Sequence, residues 1–118
     1  MSVERISVLV LKQILLVSIP ANPDDETISN IQAKVLSLMA QSGAKGVILD
    51  ISTVEIVDSY FARVVVETAQ MVHLIGGQTV IAGMRPSVAM TATELGLELS
   101  SLITALDVDQ AFDTLTQE

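Results

Sequence analysis

The sequence predicts an α/β domain, a small mixed β-sheet with helices in the order ββαβαβαβα. Three observations carry this prediction. Short β-branched runs alternate with longer stretches whose apolar residues follow helical spacing. Glycine and proline collect at the boundaries of those segments. Half of the residues are hydrophobic but only 3% are aromatic, so the apolar mass is Val, Ile, Leu, Ala and Met, as suits a sheet buried on both faces. A length of 118 residues fits one unit, and residues 1–118 are expected to form a single domain.

Arg5–Leu11 and Ile14–Ile19 read as a strand hairpin around Lys12 and Gln13. Its turn chemistry is poor, because neither residue favours the positive φ of tight two-residue turns. Pro20 and Pro23 stop the second strand, and Asp24 or Asp25 can cap a helix with Ile28, Ile31, Val35, Leu38 and Met39 on one face, ended by Gly43. Gly46–Ser52 (GVILDIS) is a short apolar strand carrying Asp50 near its end. After the connection Thr53–Asp58, a helix over about Ser59–Ile75 places Phe61, Val64, Val65, Thr68, Ala69, Val72 and Ile75 on one stripe. Gly76 and Gly77 close it.

Thr79–Gly83 repeats the strand pattern, Pro86 and Ser87 open a third helix, and Gly96 ends it. Leu102–Ala105 is a last strand. Asp107 with Gln110 resembles a capping box ahead of a final helix striped by Val108, Ala111, Phe112 and Leu115. Strands alternating with helices imply parallel neighbours, to which the first hairpin adds an antiparallel pair.

Fourteen acidic side chains against six basic ones give a net charge of −8, which repels the nucleic-acid backbone and argues against DNA or RNA as a partner. The absence of cysteine removes disulfides and thiolate metal sites, and the cytoplasm is the expected compartment. No window approaches the roughly 18 continuous apolar residues of a spanning helix, so no membrane role is expected.

Chemistry in open α/β sheets collects at the carboxyl ends of strands, which directs attention to the loop after GVILDIS. It runs Thr53, Val54, Glu55, Ile56, Val57, Asp58, Ser59. A serine at a helix N-terminus can cap the helix, act as a nucleophile or accept a phosphate, and capping is the commonest of these. The nucleophile reading needs a base, but His73, the sole histidine, lies about 20 Å further along the same helix. That separation excludes a Ser–His relay. No acidic metal ligands follow the first strand, where Lys12 and Gln13 stand, and no lysine lies near LITALD, so a phosphoaspartate receiver is excluded. The scattered glycines form no phosphate cradle. No catalytic residue, metal or cofactor is therefore expected, and the phospho-acceptor reading of Ser59 survives.

The same helix carries Tyr60, Ala62, Val66, Met71 and Leu74 outside its main stripe. Either neighbouring helices cover them or they form a protein interface.

The segment VILDISTVEIVDSYFARVVV, with Asp50, Ser52, Val54, Asp58 and Ser59 at matching positions, resembles the STAS domain, the module named for sulphate transporters and anti-sigma factor antagonists. The small residues and glycine usual after the family's serine are replaced by Tyr60, Phe61 and Ala62. That departure resembles the RsbS-type scaffold subgroup of the bacterial stressosome, whose helix also begins Asp-Ser-aromatic. LLVSI, SGAKGVILD, GMRPSVAMT, ELGLEL and TALDVDQAFDTL extend the resemblance over nearly the whole chain. It implies a STAS-like fold and a non-enzymatic scaffold in a large cytoplasmic oligomer with a sister STAS protein that bears an N-terminal sensor domain. It further implies a serine/threonine kinase held near Glu55, Asp58, Ser59, Tyr60 and Arg63, released when Ser59 is phosphorylated, and a phosphatase that resets the serine. Thr91, in RPSVAMT, matches a site phosphorylated in the sister scaffold; otherwise it is an ordinary helix residue. The runner-up implied by the same family is a stand-alone anti-sigma factor antagonist controlled by serine phosphorylation.

Overall fold

In a computed structural model of the chain, residues 7–96 and 102–117 are described. The order is β1 (Ser7–Leu11), β2 (Ile14–Ser18), α1 (Asp25–Ser42), β3 (Gly46–Asp50), α2 (Ser59–Leu74), β4 (Gln78–Ala82), α3 (Pro86–Glu94), β5 (Ile103–Ala105) and α4 (Val108–Thr116). The expected ββαβαβαβα order is thus observed. The strands form one sheet in the order β1-β2-β3-β4-β5, antiparallel between β1 and β2 and parallel elsewhere. Arg5 and Ile6, expected to begin β1, lie outside the described residues, as do Leu97–Leu99 of ELGLEL.

Alternation along each strand divides the core between the sheet's two faces. Leu15, Val17, Val47, Leu49 and Ile81 face a large cluster with α1, α2 and Val88 of α3. Ile14, Ile48, Val80 and Ala82 point the other way, onto Ala111, Phe112 and Leu115 of α4. All but the last residue of β3 is buried, which explains its nearly unbroken apolar sequence.

Several boundaries shift for local reasons. The strand expected to run to Ser52 stops at Asp50, whose Oδ1 accepts the Ser52 N–H at 3.0 Å and turns the chain. Asp24, rather than Asp25, caps α1 by accepting the Thr27 N–H at 2.7 Å. Ile75, expected on the buried stripe of α2, is 57% exposed, because the helix ends at Leu74 and Ile75 is its C-cap. The last strand begins at Ile103 rather than Leu102. At the hairpin, Lys12 and Gln13 adopt φ of 51° and 66° despite their side chains, the paired left-handed conformation that a tight two-residue turn requires. Asp107 accepts the Gln110 N–H at 2.9 Å, while Gln110 Oε1 accepts the Leu106 N–H, so the reciprocal cap of α4 forms one residue displaced from the ideal box.

Candidate functional site

The site is built where β3 ends and α2 begins. Ile51 continues the pairing with β4 for one more residue, its N–H reaching Ala82 O at 2.9 Å. The chain then turns, with Val54 N–H on Ile51 O at 3.0 Å, and Glu55 N–H ties the loop to Ala21 O at 3.1 Å. Val54 and Val57 are buried and pin the loop to the core, whereas Glu55, Ile56, Asp58 and Ser59 are exposed. An apolar anchor on either side of Glu55 and Ile56 therefore holds a polar loop at a fixed height over the sheet.

The helix start assigns the capping role to a neighbour of the serine. Asp58 is the N-cap, in extended conformation, and its Oδ1 accepts the Phe61 N–H at 2.8 Å, while its carbonyl accepts the Ala62 N–H at 3.2 Å. Ser59 is the first helical residue, and its hydroxyl is left out of the capping bond. The commonest role for a serine at this place is thus taken by Asp58. The backbone N–H groups of Ser59 and Tyr60 are the first-turn donors that this cap does not use.

Tyr60 is half-buried, its hydroxyl 2.6 Å from Ser29 Oγ of α1. Arg63, one turn beyond Ser59, lies over the Tyr60 ring at 5.4 Å from its centroid. Glu55, Asp58, Ser59, Tyr60 and Arg63 therefore share the loop and first turns of α2, as the sequence places them. Thr91 is elsewhere: it sits within α3, half-buried, and its hydroxyl donates to Ser87 O at 3.0 Å.

Two supporting residues escape sequence reasoning. Arg85 Nε donates to Ser52 O at 2.9 Å and ties the loop after β4 to the loop after β3. Ser29 meets Tyr60 from thirty-one positions away, a separation that carries no local pattern. Gly83 lies in the same corner with φ of +77°, and a Cβ there would meet Ser52 Cβ at 2.9 Å. Its signal was readable only as a glycine ending a strand.

Beside this corner, Asp50, Ser52, Gly83, Asp107 and Asp109 border an acidic crevice of about 300 Å³. Among the described residues, no group of three or more His, Cys, Asp or Glu is arranged to hold a metal ion, and no helix is long and apolar enough to cross a membrane.

The two readings of the extra apolar residues of α2 divide along the helix. Ala62 is buried beside Met84, Val88 and Ala92, so α3 covers it. Tyr60 leans on α1, and Val66 is half-buried. Met71 and Leu74 stay exposed, Leu74 by 82%.

The chain is similar to known proteins in sequence and in fold. The family model described as the STAS domain matches residues 5–111. The RsbT co-antagonist protein RsbRA of Bacillus subtilis (strain 168) is 28% identical over 105 residues, which are 89% of this chain and 38% of that protein. The chain thus spans little more than a third of the length of that relative. A serine-to-glutamate variant of Moorella thermoacetica RsbS overlays with a TM-score of 0.83 at 31% identity, covering 95% of each chain. A chain from the molecular architecture of the stressosome gives a TM-score of 0.76 at 32% identity, over 92% of this chain and 95% of the other. Matched by the family model over most of its length and overlaid end to end on RsbS, the chain belongs to the STAS domain family and is related to proteins of the stressosome.

Proposed function

We propose that this chain is a non-enzymatic, phospho-switched scaffold of a stressosome-like assembly in the cytoplasm, with the whole of residues 1–118 acting as one STAS unit. In its unmodified form, Glu55, Asp58, Ser59, Tyr60 and Arg63 hold a serine/threonine kinase, and RsbT, the protein that RsbRA co-antagonises by name, is the first partner to try. Phosphate on Ser59 releases the kinase, and a phosphatase restores the bound state. The sister scaffold carries a similar STAS domain behind an N-terminal sensor domain, in keeping with a relative much longer than this chain. Neither cofactor nor metal takes part. Thr91 is a weaker acceptor, because its hydroxyl is held by Ser87 O within a helix.

The observation that carries this reading is the division of labour at α2. Asp58 takes the cap, so the exposed Ser59 hydroxyl stands outside the capping bond, and modification there leaves that bond in place. A phosphate there adds about −1.5 to −2 charges at pH 7 beside Glu55 and Asp58. Tenfold release of a partner needs only about 1.4 kcal/mol.

The test is phosphate mapping by mass spectrometry after incubating the chain with the kinase and ATP, alongside Ser59→Ala. Phosphate at Ser59 with loss of kinase from the scaffold supports the reading. Unchanged transfer to the variant moves the acceptor elsewhere. A chain that stays monomeric with the sister protein present, yet is phosphorylated, favours the stand-alone anti-sigma factor antagonist.

A further inference from the structure

The chain's few cations are not spread evenly. Lys12, Lys45 and the sole histidine, His73, border one open crevice of about 520 Å³ at the end of the sheet where Ile14, Gly46 and Gln78 begin β2, β3 and β4. Two of the six Lys and Arg side chains of a chain at −8 therefore stand together. No Asp or Glu is among the described residues that border that crevice. The opposite end of the sheet carries exposed Glu55 and Asp58 and the crevice bordered by Asp50, Asp107 and Asp109. The domain is thus polarised along its strands.

Helix ends account for part of this. Helices α1 and α2 run into β3 and β4 at the basic end, and Thr116 of α4 borders the crevice; helix C-termini favour nearby cations. Two features are left over. Lys12 and Gln13 hold φ of 51° and 66°, a conformation in which asparagine or glycine is favoured, so the turn keeps two long polar side chains at a cost in stability. Beside the basic crevice lies a second, more apolar one of about 650 Å³ between the flank of α2 and β5, and the two share His73, Gly77 and Gln78 as a border. Val66 and Ala69 line its α2 side and Ile103 its β5 side, while Leu74, which also borders it, is 82% exposed.

We infer that the two crevices form one docking groove for an acidic amphipathic helix of a partner protein, with its aliphatic side chains in the apolar half and its carboxylates against Lys12, Lys45 and His73. Charge complementarity selects the occupant. At −8 the chain as a whole repels an acidic segment, whereas this end brings together cations, a border free of carboxylates and bare aliphatic side chains. A groove between a helix flank and the rim of a sheet suits a helix that lays its apolar stripe inward and keeps its charges at the rim. His73 lies about 20 Å along α2 from Ser59, so the groove is separate from the Ser59 loop. The inference goes beyond the scaffold reading and stands whether or not Ser59 is phosphorylated.

The experiment is a titration of the isotope-labelled full chain with synthetic peptides of four helical turns, read by amide NMR shifts. One peptide has a leucine stripe flanked by glutamates; the second has lysines in place of the glutamates; the third has glutamines in place of the leucines. The expected result is that the first binds at least about tenfold more tightly than either other, with shifts concentrated at Lys45, His73, Leu74 and Ile103. Lys12→Gly and Lys45→Glu together should weaken it by about tenfold, and Leu74→Gln by about threefold or more. Glycine also relaxes the left-handed turn, so Lys12→Gly should lose affinity while its Tm rises, which a misfolded variant would not show. Equal binding of the lysine peptide, shifts confined to another face, or no binding of the glutamate peptide overturns the inference. The same shifts produced by inorganic phosphate would make the crevice a simple anion site, and binding of phosphatidylglycerol vesicles in place of the peptide would make it a lipid surface; either result also overturns it.

Discussion

Substitutions at Asp58 and Ser59 separate a structural residue from the proposed regulated one. Asp58 accepts the Phe61 N–H at 2.8 Å as the cap of α2. Alanine there removes a capping bond worth about 1 kcal/mol. With an unfolding entropy near 2.1 cal/mol/K per residue, a chain of 118 residues should lose about 4 °C in Tm per kcal/mol. Asparagine retains the cap and forfeits only the charge at the helix N-terminus, about 0.3 to 1 kcal/mol. Ser59→Ala, at an exposed first helical position outside the cap, should stay within about 0.5 kcal/mol of wild type. The assay is calorimetric unfolding of the three variants beside wild type. The expected order is wild type and Ser59→Ala together, then Asp58→Asn, then Asp58→Ala. If Ser59→Ala falls as far as Asp58→Ala, the serine hydroxyl is structural and the division of labour at α2 is refuted.

Three further changes probe the frame that holds the site. Gly83→Ala combines φ of +77° with a Cβ contact of 2.9 Å to Ser52, so it should cost more than the roughly 1 kcal/mol of left-handed strain alone. The comparison is Gly43→Ala, at φ of +71° in open space; equal losses in Tm would show that the Ser52 corner yields freely. Gln13→Gly relieves a residue at φ of 66° and should stabilise the hairpin by about 1 kcal/mol, read as a raised denaturation midpoint at unchanged slope. Bonds from the Thr27 hydroxyl and backbone N–H hold Asp24 below the ordinary 3.8. The native value lies below the unfolded one, so this cap's contribution is present above pH 3.8 and is lost as pH falls through the native value. Asp24→Asn should flatten the stability profile in that acid range, and parallel profiles would count against it.

The fold was legible because its signals are local. The apolar run of β3, the helical stripe of α2 and the glycines after helices each act within a few residues, and all agree with one sheet order. The misreadings come from competition at boundaries. Ile51 and Ser52 extend the pattern of the strand, but the Asp50 side chain captures the Ser52 N–H and bends the chain, so β3 ends at Asp50. The sequence leaves Ser59 open as cap, nucleophile or phosphate acceptor, and the capping role goes to the preceding Asp58. Ile75 fits the helical period and misses the core only because α2 stops one residue earlier. The bonds from Arg85 to Ser52 and from Ser29 to Tyr60 join distant parts of the chain, and no single-sequence pattern records them. At Lys12 and Gln13 the poor turn chemistry was real, and the ladder from Leu11↔Ile14 to Ser7↔Ser18 imposes the turn regardless.

On the proposed switch, one phosphate at Ser59 changes binding without changing the fold. At the N-terminus of α2 an added anion gains about 0.3 to 1 kcal/mol from the helix dipole. A partner at the i+4 position adds about 0.2 to 0.5 kcal/mol, and Arg63 occupies that position. Repulsion from exposed Glu55 and Asp58 opposes these gains with a similar size in water, so the free domain is left nearly neutral to the modification. In a docked complex the balance differs. Water leaves the surface, and with Arg63 engaged by the kinase as proposed, a dianion left unpaired there costs about 3 to 5 kcal/mol. By the exchange of about 1.4 kcal/mol per tenfold, that is a loss of two to three orders of magnitude in affinity. A site that is energetically indifferent when free and strongly unfavourable when covered acts on the partner alone, and Asp58, by taking the cap, leaves the proposed acceptor Ser59 in that position.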